Sequence, residues 1–387
     1  MKKSSCSHSP KFFNLKKFFK RRAQIRGVDF ALGMLIFTLA FSQILLVLSN
    51  LLIPSLVQMQ NYANEQELNK IMNTVLYTEG TPTNWATMPT SELDTLKLGV
   101  YGNSGMLDFS KVNRLYYDLP EYWKIRYQKV KINYGLINDF ALGIQSPVEI
   151  KISSYSAVGG QINVQGSVIQ STQELLGADI WVFVIDASSN VNSNVGKTTT
   201  VGTINKFDIT VTSAVSGYYT IVVMVKVSDI YEDYKVFRLK QRGFEYILDD
   251  LVLKPYVRDD QQDGRTIAVS QLRTTGTGEC KAIVVFPYSL SDVQYYSSEL
   301  PLTNLAEGNV YYNDDIPIPA EGFAVVVVQE RDGINYRAGY MGIPMFLSFD
   351  HGEPFGASNL IQQGNYLQET QTLLIRNRIV VCNMWYW

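Results

Sequence analysis

From Phe30 to Asn64 the sequence carries no charged residue, and its most apolar stretch, Phe30 to Ile53, reads FALGMLIFTLAFSQILLVLSNLLI. A helix needs about 20 apolar residues to cross about 30 Å of hydrocarbon, so this one is long enough to span. It is apolar on every face, which a core helix of a soluble domain of this length rarely is. Thr38, Ser42, Gln43 and Ser49 are its polar residues, and the three hydroxyl residues are small enough for close helix contact. A secretory signal has an apolar region of only about 7–15 residues and ends in small residues suited to cleavage. This run ends in Leu-Leu-Ile-Pro, so ordinary signal removal is not expected.

Charge sets the orientation. Before Asp29 lie Lys2, Lys3, Lys11, Lys16, Lys17, Lys20, Arg21, Arg22 and Arg26, with no acid among them, although the whole chain carries a net charge of −2. A basic block abutting an apolar span is retained on the cytoplasmic face, so the N-terminus is expected inside and the rest outside. That placement argues against a nucleic-acid partner and makes membrane lipid the first partner. Pro54 is expected to mark the outer end of the span or a bend. Beyond it, helical spacing continues through Leu56, Met59, Leu68, Ile71, Met72 and Val75 while the composition turns polar. A stalk helix stopping near Glu79-Gly80 follows from that pattern.

The outer part has mixed signals at 79–146, where Gly80, Pro82, Pro89 and the run Gly99 to Gly105 punctuate turns. Phe109 to Tyr127 has helical spacing broken at Pro120, and Lys129 to Ile144 alternates like a strand. Trp85 is expected to bury against the stalk helix. Residues 147–242 read as a β-sandwich, Ig-like in the broad sense: VEIKISSY, QINVQGSVI, ADIWVFVID, FDITVTSA, YYTIVVMVKVSD and YKVFRLK are short β-branched and aromatic runs between Gly, Asn, Ser and Asp clusters. Residues 243–387 read as a second β domain. Its runs KAIVVFPY, FAVVVVQE and LLIRNRIVVCNMWYW are apolar enough to be central strands covered on both faces. The expected architecture is a basic cytoplasmic tail or leader (1–27), a single transmembrane helix (28–54), a stalk helix (55–78), a small α/β neck (79–146) and two mainly antiparallel β domains (147–242 and 243–387).

Two local features resemble archaeal pilin-like surface proteins with class III (type IV pilin-type) signal sequences. Arg26-Gly27 stands directly before the apolar helix after a basic leader. The segment Leu76-Tyr77-Thr78-Glu79-Gly80-Thr81-Pro82-Thr83-Asn84-Trp85 is similar to the L-x-T-x-G-x-P-x-x-W segment of that group, as is the Trp-terminated end Leu373 to Trp387. The resemblance implies a prepilin-type peptidase cutting after Gly27, with Arg26, Gly27, Val28 and Asp29 as the processing site. It also implies other pilin-like subunits as partners through the helix, with small residues Ala31, Gly33, Ala40 and Ser42 at the contact. This sequence departs from the bacterial pattern, since its acid is Asp29, two residues after Gly27, rather than a Glu further in.

Chemistry-bearing groups are few, and no catalytic residue, cofactor or metal is expected. His8 lies in the tail and His351 is the other histidine, expected in a solvent-facing turn of FDHGEP. There is no phosphate loop and no nucleophile elbow. Asp259, Asp260 and Asp263, and Asp314-Asp315, are expected as solvated turns rather than Ca²⁺ loops. Cys280 and Cys382 neighbour apolar strands outside the membrane, where a disulfide between them would persist. Aromatic pairs Tyr295-Tyr296, Tyr311-Tyr312 and Trp385-Tyr386-Trp387 should divide between core and surface. The expected role is structural or adhesive, with a minor filament subunit as the concrete form. A membrane-anchored receptor for a soluble ligand is the alternative, and an anchored hydrolase resting on His351 comes after it.

Overall fold

The computed structural model describes residues 15–102, 105–202, 204–213, 217–243, 245–258, 265–270, 278–287, 294–305, 308–332 and 335–387. The Asp259–Asp263 turn lies outside them. The chain divides into two units, Met1–Glu65 and Gln66–Trp387.

The first unit is helical. Helix α1 runs from Leu15 to Tyr77, 63 residues, and includes Pro54 without a break. The helix therefore does not end at Pro54; one missing N–H bond is tolerated where the flanking turns hold their own. The hydroxyls of the apolar run turn inward on the same helix. Ser49 Oγ donates to the Leu46 carbonyl and Ser55 Oγ to that of Leu52, each at 2.9 Å, and Thr38 Oγ1 donates to that of Met34. Such bonds leave less polar surface to satisfy in hydrocarbon. Phe30 is 71% exposed and Leu46 62%, on opposite sides of a run with no buried face of its own. Among the described residues this is one helix near the N-terminus long and apolar enough, by length and composition, to cross a membrane.

The second unit is β-rich, and every ladder between its described strands is antiparallel. An outer sheet containing Val148–Val158, Gln161–Gln170 and Ile204–Thr212 faces a sheet ordered Glu245–Asp249, Tyr231–Arg242, Tyr218–Val227, Asp179–Asp186, Val191–Lys197. Val164, Ile209, Val182 and Val223 meet in the core between them. A second sandwich stacks Gln294–Glu299, Glu279–Phe286, Ala324–Asp332 and Asn335–Ile343 against a sheet of Pro255–Val257, Ile267–Ser270, Gly308–Asn313 and Leu302–Leu305. Its core holds Val269, Val284, Val326 and Ile343.

The inner sheets of the two sandwiches also share a core. Trp181, Phe183 and Met224 from one, and Ile283, Val285, Val325 and Val327 from the other, join a single central cluster. That is why ADIWVFVID, KAIVVF and AVVVV read as continuous apolar runs: alternate residues feed one core and their neighbours the next. The last turns of α1 enter the same central core through Leu68, Ile71, Met72, Val75 and Leu76.

Two expectations are corrected here. The stretch Lys129 to Ile144 begins inside helix α2, Tyr127–Tyr134, closed by Gly135 at φ +69°, and the strand follows only at Phe140–Gln145. The C-terminal run is a hairpin rather than one strand: Leu367–Ile375 turns at Arg376-Asn377 into Arg378–Tyr386. Both turn residues have positive φ, +51° and +62°, as a two-residue hairpin loop requires. Arg376 is held there by donating from Nε to the Gly322 carbonyl at 2.7 Å, with its guanidinium 4.9 Å from the Phe109 ring. Within the 243–387 segment, the hairpin pairs not with the second sandwich but with Phe140–Gln145 of the neck, in register Leu142↔Met384. The neck strand Phe140–Gln145 thus lies in a four-stranded sheet with Phe355–Gly356, Arg378–Tyr386 and Leu367–Ile375.

Candidate functional site

The L-x-T-x-G-x-P-x-x-W segment builds the junction where α1 ends. Leu76 and Trp85 are fully buried, and Trp85 Nε1 donates to the Gly99 carbonyl at 2.9 Å. Gly80, at φ +78°, lets the chain leave the helix with its backbone against Gly99, where an added Cβ would lie 2.3 Å from Gly80 N. Thr81 pairs with Lys97 through both backbone bonds, at 2.9 and 3.0 Å. Beneath this turn, Lys111 Nζ donates to the carbonyls of Glu79 (3.0 Å) and Tyr101 (3.1 Å). Arg114 donates to the carbonyls of Trp85, Ala86 and Trp123, and lies 4.1 Å over the Trp123 ring. Two buried cations thus satisfy backbone acceptors that the irregular chain would otherwise strand. The segment is a fastener between helix and body. Tyr386, from the last strand, adds a hydrogen bond to Glu67 on the same helix.

On the apolar helix, Arg26 and Gly27 lie within α1, and Val28, Asp29, Ala31, Gly33, Ala40 and Ser42 are all exposed. At 100° per residue, Gly33 and Ala40 fall on one face and Ala31 and Ser42 on the opposite one. A Cβ at Gly33 would meet nothing within 4 Å. The small residues therefore offer two flat faces rather than one.

His351 is not in a solvent-facing turn. Its side chain is 8% exposed and packs against Tyr234 (4.9 Å) and Phe346 (5.1 Å), whose rings stack on each other at 4.9 Å, with Nε2 3.9 Å from Asp233 Oδ1. Tyr234 builds the seat: its hydroxyl donates to the Pro344 carbonyl at 2.9 Å and accepts from Phe346 N at 3.2 Å. Asp233 Oδ2 accepts from Ile150 N at 3.0 Å, so this carboxyl also pins the first strand of the outer sheet. The groups border a cavity of about 70 Å³, lined further by Gln145, Ser146, Glu149, Lys235, Ser348 and Asp350. That is room for about two waters at about 30 Å³ each.

Burial raises the Asp233 carboxyl to about 8, against hydrogen bonds from Ile150 and Tyr234 and the charge of Lys235, which favour ionisation. Burial, and next Lys235, lowers His351 to about 3. At 3.9 Å, beyond hydrogen-bond reach, neither group recovers its lost hydration from the other, so both are uncharged at neutral pH. The arrangement can hold a proton, but among the described residues no group of three or more His, Cys, Asp or Glu could hold a metal ion. No signal in the FDHGEP stretch foretold this, since Asp233 and Tyr234 arrive from more than a hundred residues earlier.

The proposed bridge between Cys280 and Cys382 is not formed. Both are free buried thiols, Cys280 in the core of the second sandwich and Cys382 in the central core. The hairpin's departure to the neck sheet is what separates them. Burial pushes Cys382 up to about 12 and Cys280 higher still. Both should therefore resist a maleimide in the folded protein and react after denaturation; rapid labelling of either in the native state would contradict this burial.

The aromatic pairs divide unevenly. Tyr311 is buried, its hydroxyl 3.2 Å from the Gly278 carbonyl, and Tyr386 is buried between half-exposed Trp385 and Trp387. Tyr295 and Tyr296 are both exposed, Tyr296 stacking on Phe286 at 5.7 Å. Asp314 and Asp315 lie in an exposed turn, where Asp315 N donates to Asn313 Oδ1 at 2.9 Å. Neither a family model nor a curated protein matches this sequence.

Proposed function

We propose that this is a membrane-anchored, pilin-like cell-surface protein with a structural or adhesive role, its N-terminus cytoplasmic and its β-rich unit outside. The observation that carries the reading is α1 itself. Its apolar run leaves large side chains such as Phe30, Phe37, Leu46 and Leu51 more than half exposed, while its last turns are built into a β-rich unit. Such a surface is stable only in lipid or among other apolar helices. The basic tail supplies the orientation, and the minor filament subunit is the form in which lipid and subunit contacts alternate on one helix.

Processing tests the filament form. Intact mass of the membrane-extracted protein should show loss of residues 1–27, and replacing Gly27 should abolish that loss. Leu at both Gly33 and Ala40 should abolish association through the helix and leave the β-rich unit's melting unchanged. An unprocessed chain whose variants associate as before would leave an anchored receptor as the better reading.

A further inference from the structure

The neck sheet ends in an open edge. Leu367–Ile375 is its last strand, bonded on one side only to Arg378–Tyr386. Alternate residues of an antiparallel strand direct both backbone groups to the same side. The Leu374 carbonyl points away from the hairpin partner, because it accepts from Leu107 N at 2.8 Å. Counting back by two, Thr372, Thr370 and Gln368 present their N–H and C=O groups on that same open side, and no described residue bonds them. Leu107 closes the edge only at its end. The usual protections of an exposed edge, a Pro, a Lys or a bulge, are absent from LQETQTLLI.

We propose that this edge pairs antiparallel with the same strand of a second copy of the chain, centred on Thr370. The sequence matches itself in that register. Thr370 meets Thr370, Gln368 meets Thr372, Glu369 meets Gln371 and Leu367 meets Leu373, so every pair is polar on polar or apolar on apolar. The geometry agrees independently. A two-fold centre on an open-side residue makes each of the three open residues part of a bonded pair, which closes all six free backbone groups. Gln371 would bring its amide NH₂, a donor, to the Glu369 carboxylate of the second copy. No residue of the edge meets a like charge, since Glu369 is its sole charged side chain.

A ladder of this length buries far less than the roughly 1,200 Å² of a stable interface. Pairing therefore depends on copies being concentrated, as they are when held on one membrane surface. The inference stands on the neck sheet alone and does not need processing at Gly27 or contact between helices.

The test uses the full-length chain reconstituted in lipid vesicles, in a Cys6→Ser background, with exposed positions converted singly to cysteine. Thr370→Cys should oxidise to a disulfide-linked dimer at least about tenfold faster than Gln368→Cys or Thr372→Cys alone, because only position 370 faces itself within bridging distance. The other two lie about 13 Å from their own copies along the strand. Mixing Gln368→Cys with Thr372→Cys should restore cross-linking. Dimers formed equally at all three positions would mean association through some other surface, and no dimer at 370 would mean a free edge; either overturns the proposal.

Discussion

Replacing Trp85 with Ala should lower the melting temperature of the β-rich unit by about 6–12 °C and expose the chain between Tyr77 and Pro89 to protease. The indole is fully buried and packs in the central core with the last turns of α1. Truncating a buried Trp costs about 3–5 kcal/mol, because the space cannot collapse around a rigid backbone. Here the change also orphans the Gly99 carbonyl, which receives the indole N–H. Arg114, bonded to the Trp85 and Ala86 carbonyls, would lose the turn that orders its guanidinium. For a unit spanning Gln66–Trp387 each kcal/mol lost corresponds to about 1.5 °C. Phe at position 85 separates the two causes: it keeps most of the volume, loses the N–H bond, and should cost about a third as much. A Trp85→Ala protein melting within about 2 °C of the native chain would show that α1 is fastened elsewhere.

The helix and the antiparallel β character were legible because each rests on a local pattern. The uncharged run at Phe30–Asn64 needs no partner to be recognised, and FDITVTS alternates as a strand half-buried in the first sandwich does, with Phe207, Ile209 and Val211 in the core. Even the shared central core left a trace, since AVVVV and WVFV are apolar at successive positions. What could not be read was which partner each segment chooses. The hairpin turn at Arg376-Asn377 lacks the glycine that usually marks such loops, and its stability comes from carbonyls of the 319–322 loop. With the turn hidden, the last strand looked like part of the second β domain, and Cys382 looked near Cys280. His351 failed for the same reason. Its surroundings are Tyr234, Phe346 and Asp233, two of which are remote in sequence, so a polar turn motif conceals a buried histidine.

Between pH 6.5 and 8 the β-rich unit should lose about 2 kcal/mol of stability, and Asp233→Asn should remove that loss. The folded-state carboxyl of Asp233 is raised to about 8, whereas an unfolded Asp titrates near 4. A raised group stabilises the fold fully below its unfolded value, and the benefit is lost as pH climbs through the folded one. His351 runs the other way: lowered to about 3 from an unfolded value near 6.5, it costs stability as pH falls below 6.5. From about pH 4 to 6.5 the two slopes oppose and nearly cancel. Above 6.5 only Asp233 remains, at about 1.4 kcal/mol per pH unit. Lys235 moderates the loss, while Asp350, which also faces the carboxyl, sharpens it. Asn can still accept from Ile150 N, so the variant should fold, and its denaturant midpoint should stay flat across this window. The opposite view, a charged Asp233–His351 pair, predicts that the native chain is steady to pH 8 and that Asn weakens it throughout. Equal pH profiles for the two proteins would remove Asp233 as the source and with it the neutral pair in the cavity.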